Sequence, residues 1–246
     1  MGMPIKGLSF GSTQTGARYR PEGGSVQVKP WLYANGGEIL SSQAKEGPDR
    51  WFPCFYSLVS PVYDRLWARE DMRRDLVRRL RLETGSRVLE TGVGTGANLP
   101  LLCDAVGEHG LVEGIDLSAG MLKMARRRAA SLPCPVRLAL QNASDLPFPD
   151  DHFDAVLHFG GINFFSDRRK ALQEMVRVAK PGARLVVADE TVALKGHLGG
   201  MLSRRVLDLL PRLRPPLDLL PSRVEVLGLD HSPRGFFYIL ELVKTG

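Results

Sequence analysis

Between Arg87 and Leu102 the chain reads RVLETGVGTGANLPLL, and few folds accept residues in that order. Val88 and Leu89 are strand-like and apolar, Glu90 is a carboxylate, and glycines then stand at every second position, Gly92, Gly94 and Gly96. A helical pattern takes over, with Pro100 near its first turn, where a proline is tolerated. Glycines allow a sharp strand-to-helix turn and let a ligand approach bare backbone. The helix start behind them offers free N–H groups and partial positive charge, which suit a carboxylate or a phosphate. Read as G-x-G-x-x-A over Gly92, Gly94 and Ala97, the loop also fits a dinucleotide fingerprint, so on its own it leaves the ligand open.

The residues after the loop alternate strictly between strand and helix. LVEGID is a strand ending at Asp116, and Ser118 caps a helix from Ala119 to about Ala130. Strands follow at Val136–Leu140 and Ala155–Phe159, then a helix near Arg168–Ala179 that Pro181-Gly182 breaks, then a strand at Arg184–Ala188. Upstream, Met72, Leu76, Val77 and Leu80 make the segment from Ala68 to about Leu82 an amphipathic helix. Such alternation predicts an α/β fold with a parallel sheet and helices on both faces. The rhythm changes after Ala188. Leu198, Met201, Leu202, Val206, Leu209 and Leu210 lie at helical spacing, and two strands, Arg223–Leu229 and Gly235–Val243, close the chain as an antiparallel hairpin.

Residues 1–50 are rich in Gly, Ser and turn formers, with a short strand at Ser25–Val28, and read as a partly disordered N-terminal extension. Residues 51–246 form the folded domain, interrupted at 191–221 by the apolar helical segment. In WFPCFYSLVSPVYDRLW the aromatics pack on the core edge or cap a pocket; Tyr56 and Tyr63 are the two best suited to face a ligand, with a polar tip on an apolar ring.

A net charge of +6 permits an anionic partner, yet much of the positive charge lies on helices with an apolar opposite face, in REDMRRDLVRRLRLE and MLKMARRRAA, and reads as a solvated helix face. Cys54, Cys103 and Cys134 have neither zinc-site nor disulfide-framework spacing. No run reaches transmembrane length and the first residues lack an apolar signal core. The expectation is a reduced, cytoplasmic protein.

Two carboxylates narrow the chemistry. Asp116 sits where a Rossmann-type site grips ribose hydroxyls, which S-adenosylmethionine and NAD both carry. Glu90, directly before the glycines, would repel a pyrophosphate but suits the ammonium of a methionine moiety. With these residues the stretches VLETGVGTG, GIDLSAGMLKMAR, NASDLPFPDDHFDAV and EMVRVAKPGARLVVAD resemble a class I S-adenosylmethionine-dependent methyltransferase, of the group that includes ubiquinone/menaquinone C-methyltransferases and bacterial phospholipid N-methyltransferases.

The resemblance covers roughly residues 55–192. It implies a Rossmann-like, doubly wound, mostly parallel seven-stranded sheet with an antiparallel last strand, in the order 3-2-1-4-5-7-6. It implies that Glu90 and the loop glycines Gly92, Gly94 and Gly96 hold the methionine moiety and that Asp116 takes the ribose. Leu117 and Met121 would flank adenine, although Met121 also reads as helix core. Where the family has Asp-Ala against the adenine amino group, this chain has Asn142-Ala143, and an asparagine oxygen still accepts that hydrogen bond.

The product would be S-adenosylhomocysteine. The acceptor would be small and apolar or amphipathic, of natural-product, quinone or lipid type. In-line methyl transfer needs proximity, exclusion of water and sometimes a base, and no metal. His158 is the candidate base, with a structural histidine as the competing reading; Asn163 and Met201 are candidate acceptor contacts, and Asp189, which ends a strand, could also touch the acceptor. Asp154 reads as structural and His231 as a surface residue. The absence of an N-P-P-Y type motif argues against nucleic acid as substrate. The segment 191–221 reads either as a plain helix or as a lid over the acceptor, whose Arg204, Arg205, Arg212 and Arg214 would meet an anionic head group or a membrane surface. Two rival functions remain at this level: an NAD-dependent oxidoreductase, and a non-catalytic protein that binds S-adenosylmethionine.

Overall fold

The computed structural model describes residues 32–33, 70–191, 213–233 and 235–246. Their backbone builds one eight-stranded sheet in the order β1-β4-β3-β2-β5-β6-β8-β7. The strands are β1 (Leu32–Tyr33), β2 (Arg87–Thr91), β3 (Leu111–Asp116), β4 (Val136–Leu140), β5 (Phe153–Phe159), β6 (Ala179–Glu190), β7 (Val224–His231) and β8 (Phe237–Lys244). The helices are α1 (Glu70–Arg79), α2 (Leu99–Val106), α3 (Ala119–Ala129) and α4 (Arg168–Val178).

Strands β4, β3, β2, β5 and β6 pair in parallel, and β8 runs antiparallel to both β6 and β7. The seven strands expected are therefore present and in the expected order. An eighth was not foreseen: Leu32–Tyr33, from within the N-terminal extension, pairs antiparallel with Leu138 and Arg137 at the β4 edge. The strand expected at Ser25–Val28 lies outside the described residues, as do Tyr56, Tyr63, Met201 and residues 192–212 of the segment expected to be a lid.

Inner strands of a parallel sheet are covered on both sides, so their residues are buried nearly without interruption; within β2 and β5 only Arg87, Asp154 and Phe159 are partly open. Alternation still sorts the side chains. Val88, Ala155, Leu157, Val186 and Ala188 join Leu76, Leu99, Leu102, Leu122 and Ala125 of α1, α2 and α3 in one apolar layer. Leu89, Val156, Leu185 and Val187 join Ala171, Leu172, Met175 and Val176 of α4 in the other. Helix α4 ends at Val178, before Pro181-Gly182, because Ala179 already pairs with Phe153; the register then shifts before Ala155 meets Arg184.

Cys103 on α2 and Cys134, just before β4, form a disulfide, with Cα atoms 5.3 Å apart. This corrects the expectation of fully reduced cysteines. Spacing along the chain could not show that the two elements lie side by side in the core. No helix among the described residues is long and apolar enough to cross a membrane.

Candidate functional site

Strand β2 sits where the sheet's connectivity reverses, with β3 on one side and β5 on the other, and open α/β sheets bind ligands in the crevice at that switch point. A cavity opens there. It is lined by Glu90 and the loop after β2, by Asp116 and Leu117 after β3, by Asn142 and Ala143 after β4, and by Phe159–Gly161 after β5.

On the β2 side, Glu90 is buried and its Oε1 accepts a hydrogen bond from Asn98 Nδ2 at 2.6 Å. Asn98 Oδ1 in turn accepts from Arg73 Nη1 at 2.8 Å. Arg73, from α1, lies with its guanidinium carbon 5.0 Å from the centre of the Phe159 ring, within cation–π range. An anion and a cation thus face one end of the cavity, an arrangement suited to a zwitterion. The arginines of α1 had been read as a solvated face, and for Arg73 that reading is corrected. It shares the inward stripe with buried Leu76, Val77 and Leu80, and a charge three residues before an apolar stripe was the available signal.

Gly92 and Gly94 line the cavity with φ of +69° and +55°, left-handed values that glycine adopts freely. A Cβ on Gly94 would find its nearest neighbour 4.0 Å away, so a side chain there would project into open space. Gly96 is different. It stands away from the lining, and a Cβ there would come within 2.6 Å of Leu99 and 3.0 Å of Ala125. Its smallness lets α3 approach the loop.

Asp116 ties the loop to β3. Its Oδ2 accepts from Gly94 N at 2.9 Å and its Oδ1 from Ser118 N at 2.8 Å. Burial raises its carboxyl above the usual range, and the N–H groups of Ser118, Gly94 and Leu117 work against that rise. Ser118 caps α3 as expected, accepting from Met121 N, and Met121 lines the cavity while also packing as a buried helix residue. Asn142 Oδ1 accepts from Ser144 N at 2.9 Å, which turns the oxygen toward the chain's own backbone and leaves Nδ2 as the unshared half of the amide.

The β5 side is aromatic: Phe159, Phe164, Phe165 and Phe237 line it together with Gly160 and Gly161. The Phe159 and Phe237 rings lie 5.6 Å apart. Phe237 opens the C-terminal strand, and sequence proximity gave no hint of it. The two remaining site candidates within the described residues stand behind this wall. His158 is fully buried, its Nδ1 lies 2.9 Å from Thr91 O, and burial pulls its pKa down to about 4. It lies outside the lining, directly beneath Gly92, where an added Cβ would meet its ring at 3.4 Å. Asn163 is also buried, and its Nδ2 donates to Glu190 O at 3.0 Å. Asp154 and His231 behave as expected: Asp154 accepts from Arg87 N at 2.8 Å, and His231 is exposed.

Comparison with known proteins agrees with this geometry. Residues 88–182 match a family model described as a methyltransferase domain. The chain is 35% identical over 158 residues to the ubiquinone/menaquinone biosynthesis C-methyltransferase UbiE of Proteus mirabilis, covering 63% of this chain and 61% of that protein. It is 34% identical over 164 residues to the 2-phytyl-1,4-naphtoquinone methyltransferase of Synechococcus elongatus, covering 61% of this chain and 65% of that one. The chain therefore spans less than two thirds of these relatives' length. A SAM-dependent methyltransferase from Aquifex aeolicus shares the fold, with a TM-score of 0.57 at 22% identity, over 78% of this chain and 98% of that one.

Proposed function

We propose that the protein, whose residues 88–182 match a methyltransferase domain and whose relatives include quinone C-methyltransferases, is a class I methyltransferase that transfers a methyl group from S-adenosylmethionine to a small, apolar or amphipathic acceptor of quinone type. The observation that carries this is one cavity with two unlike halves: Glu90, Gly92, Gly94, Asp116 and Asn142 on the β2–β4 side, and four phenylalanines on the other.

The residues fit the cofactor. Glu90 would take the ammonium of its methionine end and Arg73 the carboxylate. Gly92 and Gly94 would let that end lie against backbone, and Asp116 would accept from the ribose hydroxyls. Leu117, Met121 and Ala143 would enclose adenine, with Asn142 at its edge. The cofactor supplies a methyl group already activated on a sulfonium. What is asked of the chain is to bind both partners in line and exclude water. Phe159, Phe164, Phe165 and Phe237 offer flat apolar faces on which an aromatic acceptor stacks or meets edge to face. His158 is neutral and walled off by the loop, so its role in this reading is to support Gly92 and the backbone of Thr91.

Calorimetry with S-adenosylhomocysteine and with NAD tests the cofactor half; binding of NAD alone would overturn it. Incubation with labelled S-adenosylmethionine and a short-chain demethylmenaquinol tests the acceptor half. Label in the extracted quinone is the expected result. Its absence there, with label in a phospholipid or a non-quinone aromatic from a parallel screen, would replace the acceptor class.

A further inference from the structure

We infer that Asp189 is a positioning residue for the acceptor: its carboxylate fixes the backbone of residues 160–165, and through it the placement of Phe164 and Phe165 on the cavity wall. The inference rests on the reading above that this wall is the acceptor side. Asp189 is fully buried near the carboxyl end of β6. Its Oδ1 accepts from Gly161 N at 3.1 Å and from Glu190 N at 2.9 Å, and its Oδ2 accepts from Asn163 N at 2.8 Å.

Two of these three donors belong to the short segment between β5 and α4 that supplies Gly160, Gly161, Phe164 and Phe165 to the cavity. Ile162 anchors that segment in the apolar layer beneath α4 and Phe165 packs against the His158 ring, but neither contact fixes its backbone N–H groups. Gly160 and Gly161 take φ of +81° and +98°, where a glycine chain has many alternatives, and the single helical turn Ile162–Phe164 is too short to hold itself. Gly160 N bonds Ala188 O at 2.8 Å and Asn163 Nδ2 bonds Glu190 O at 3.0 Å, so the end of β6 serves as the template for the whole segment. A buried carboxylate is a costly way to fill a core position, and burial together with the neighbouring Glu190 pushes the Asp189 carboxyl up. What it provides in return is a fork of two acceptor oxygens, one for each of two N–H groups of the same loop, where the isosteric amide has a single acceptor oxygen.

The cofactor half of the cavity makes no hydrogen bond to Asp189, which sets up the test. In the full chain, Asp189→Ala and Asp189→Asn are compared with the parent by amide hydrogen exchange, calorimetry with S-adenosylhomocysteine, and methyl-transfer kinetics with a short-chain demethylmenaquinol. Expected are at least tenfold faster exchange in Asp189→Ala confined to residues 160–165, an S-adenosylhomocysteine Kd within twofold of the parent, and an acceptor KM raised at least tenfold with a smaller change in kcat. Asp189→Asn, which keeps one acceptor oxygen, should restore part of the KM. Unchanged exchange at Gly161 and Asn163 would overturn the inference, as would exchange rising equally through β6 and β8 with loss of S-adenosylhomocysteine binding. An unaltered acceptor KM with a loosened loop would overturn it too. If the demethylmenaquinol is not methylated by the parent, the acceptor class fails, while the exchange and calorimetry arms still decide whether Asp189 holds the loop independently of the cofactor.

Discussion

Asp116 serves the loop as well as any ligand, and its removal should be read accordingly. Asp116→Ala deletes the acceptor for Gly94 N and Ser118 N along with any contact to a ribose. Hydrogen bonds to a charged group contribute about 1.5–3 kcal/mol each, and about 1.4 kcal/mol is tenfold in affinity. Calorimetry should therefore show S-adenosylhomocysteine binding weakened at least tenfold in a protein that keeps its far-UV spectrum; unchanged affinity would remove Asp116 from the site. Asp116 could be found from sequence because a strand end after a glycine loop fixes where a carboxylate must lie. Phe237 could not, since it reaches the cavity from β8 and such a long-range neighbour leaves no spacing to read; for Arg73 the helix pattern could show the inward face but not that this face meets the cavity. Asn142 was half legible. Its place beside the cavity was legible, but the turn at Ser144 decides which half of the amide stays available.

At the scale of the element, the glycine loop separates two roles that look alike in sequence. Gly94→Val places branched carbons in the open cavity at a left-handed φ of +55°. Gly96→Ala, also at a left-handed φ of +76°, instead drives a methyl into Leu99 and Ala125, within 2.6 and 3.0 Å. The expected outcomes are opposite. Gly94→Val should abolish measurable S-adenosylhomocysteine binding and lower stability only by the strain of its backbone, on the order of 1–2 kcal/mol. Gly96→Ala should lower the melting temperature more than it weakens binding, since overpacking of this kind costs about 1–3 kcal/mol. Thermal melts with and without ligand check both, and a ligand-induced shift retained by Gly94→Val would show that the loop does not cradle the cofactor. The loop's existence was plain from three glycines at alternate positions. Their division of labour depends on where α3 packs, and that is set by a helix beginning more than twenty residues away along the chain.

For the molecule as a whole, strand–helix alternation carried the parallel sheet with its covering helices, while the order of the strands came from the family resemblance. It did not carry β1, two residues without periodicity, or the pairing of Cys103 with Cys134. Nor did it decide between the two readings of His158, candidate base or structural histidine. His158 provides a whole-molecule prediction. Its pKa falls from 6.5 to about 4 because burial disfavours the charged ring, only partly offset by the bond to the Thr91 backbone. The folded state then binds fewer protons than the unfolded state between those values. The contribution of His158 to stability is thus complete above pH 6.5 and is lost as pH falls toward 4. At about 1.36 kcal/mol per unit the loss is roughly 3 kcal/mol.

His152, half-buried at the opposite end of the sheet among Arg87, Lys180 and Arg137, is also lowered to about 4 and adds in the same direction, weakened by its contact with solvent. Glu113, Asp116 and Asp189 have raised values and act in the opposite sense, their contributions being present at low pH and lost as pH rises through their folded pKa values. The total curve therefore does not isolate His158, but a difference does. His158→Asn removes the titration while an amide Nδ2 can still donate to Thr91 O. Urea denaturation should find the stability difference between parent and variant moving by roughly 3 kcal/mol in the variant's favour as the pH is taken from 7.5 to 4. A gap that stays constant across that range would mean that His158 is not held neutral by burial. A collapse of kcat in the same variant, with altered pH dependence, would return His158 to the role of base.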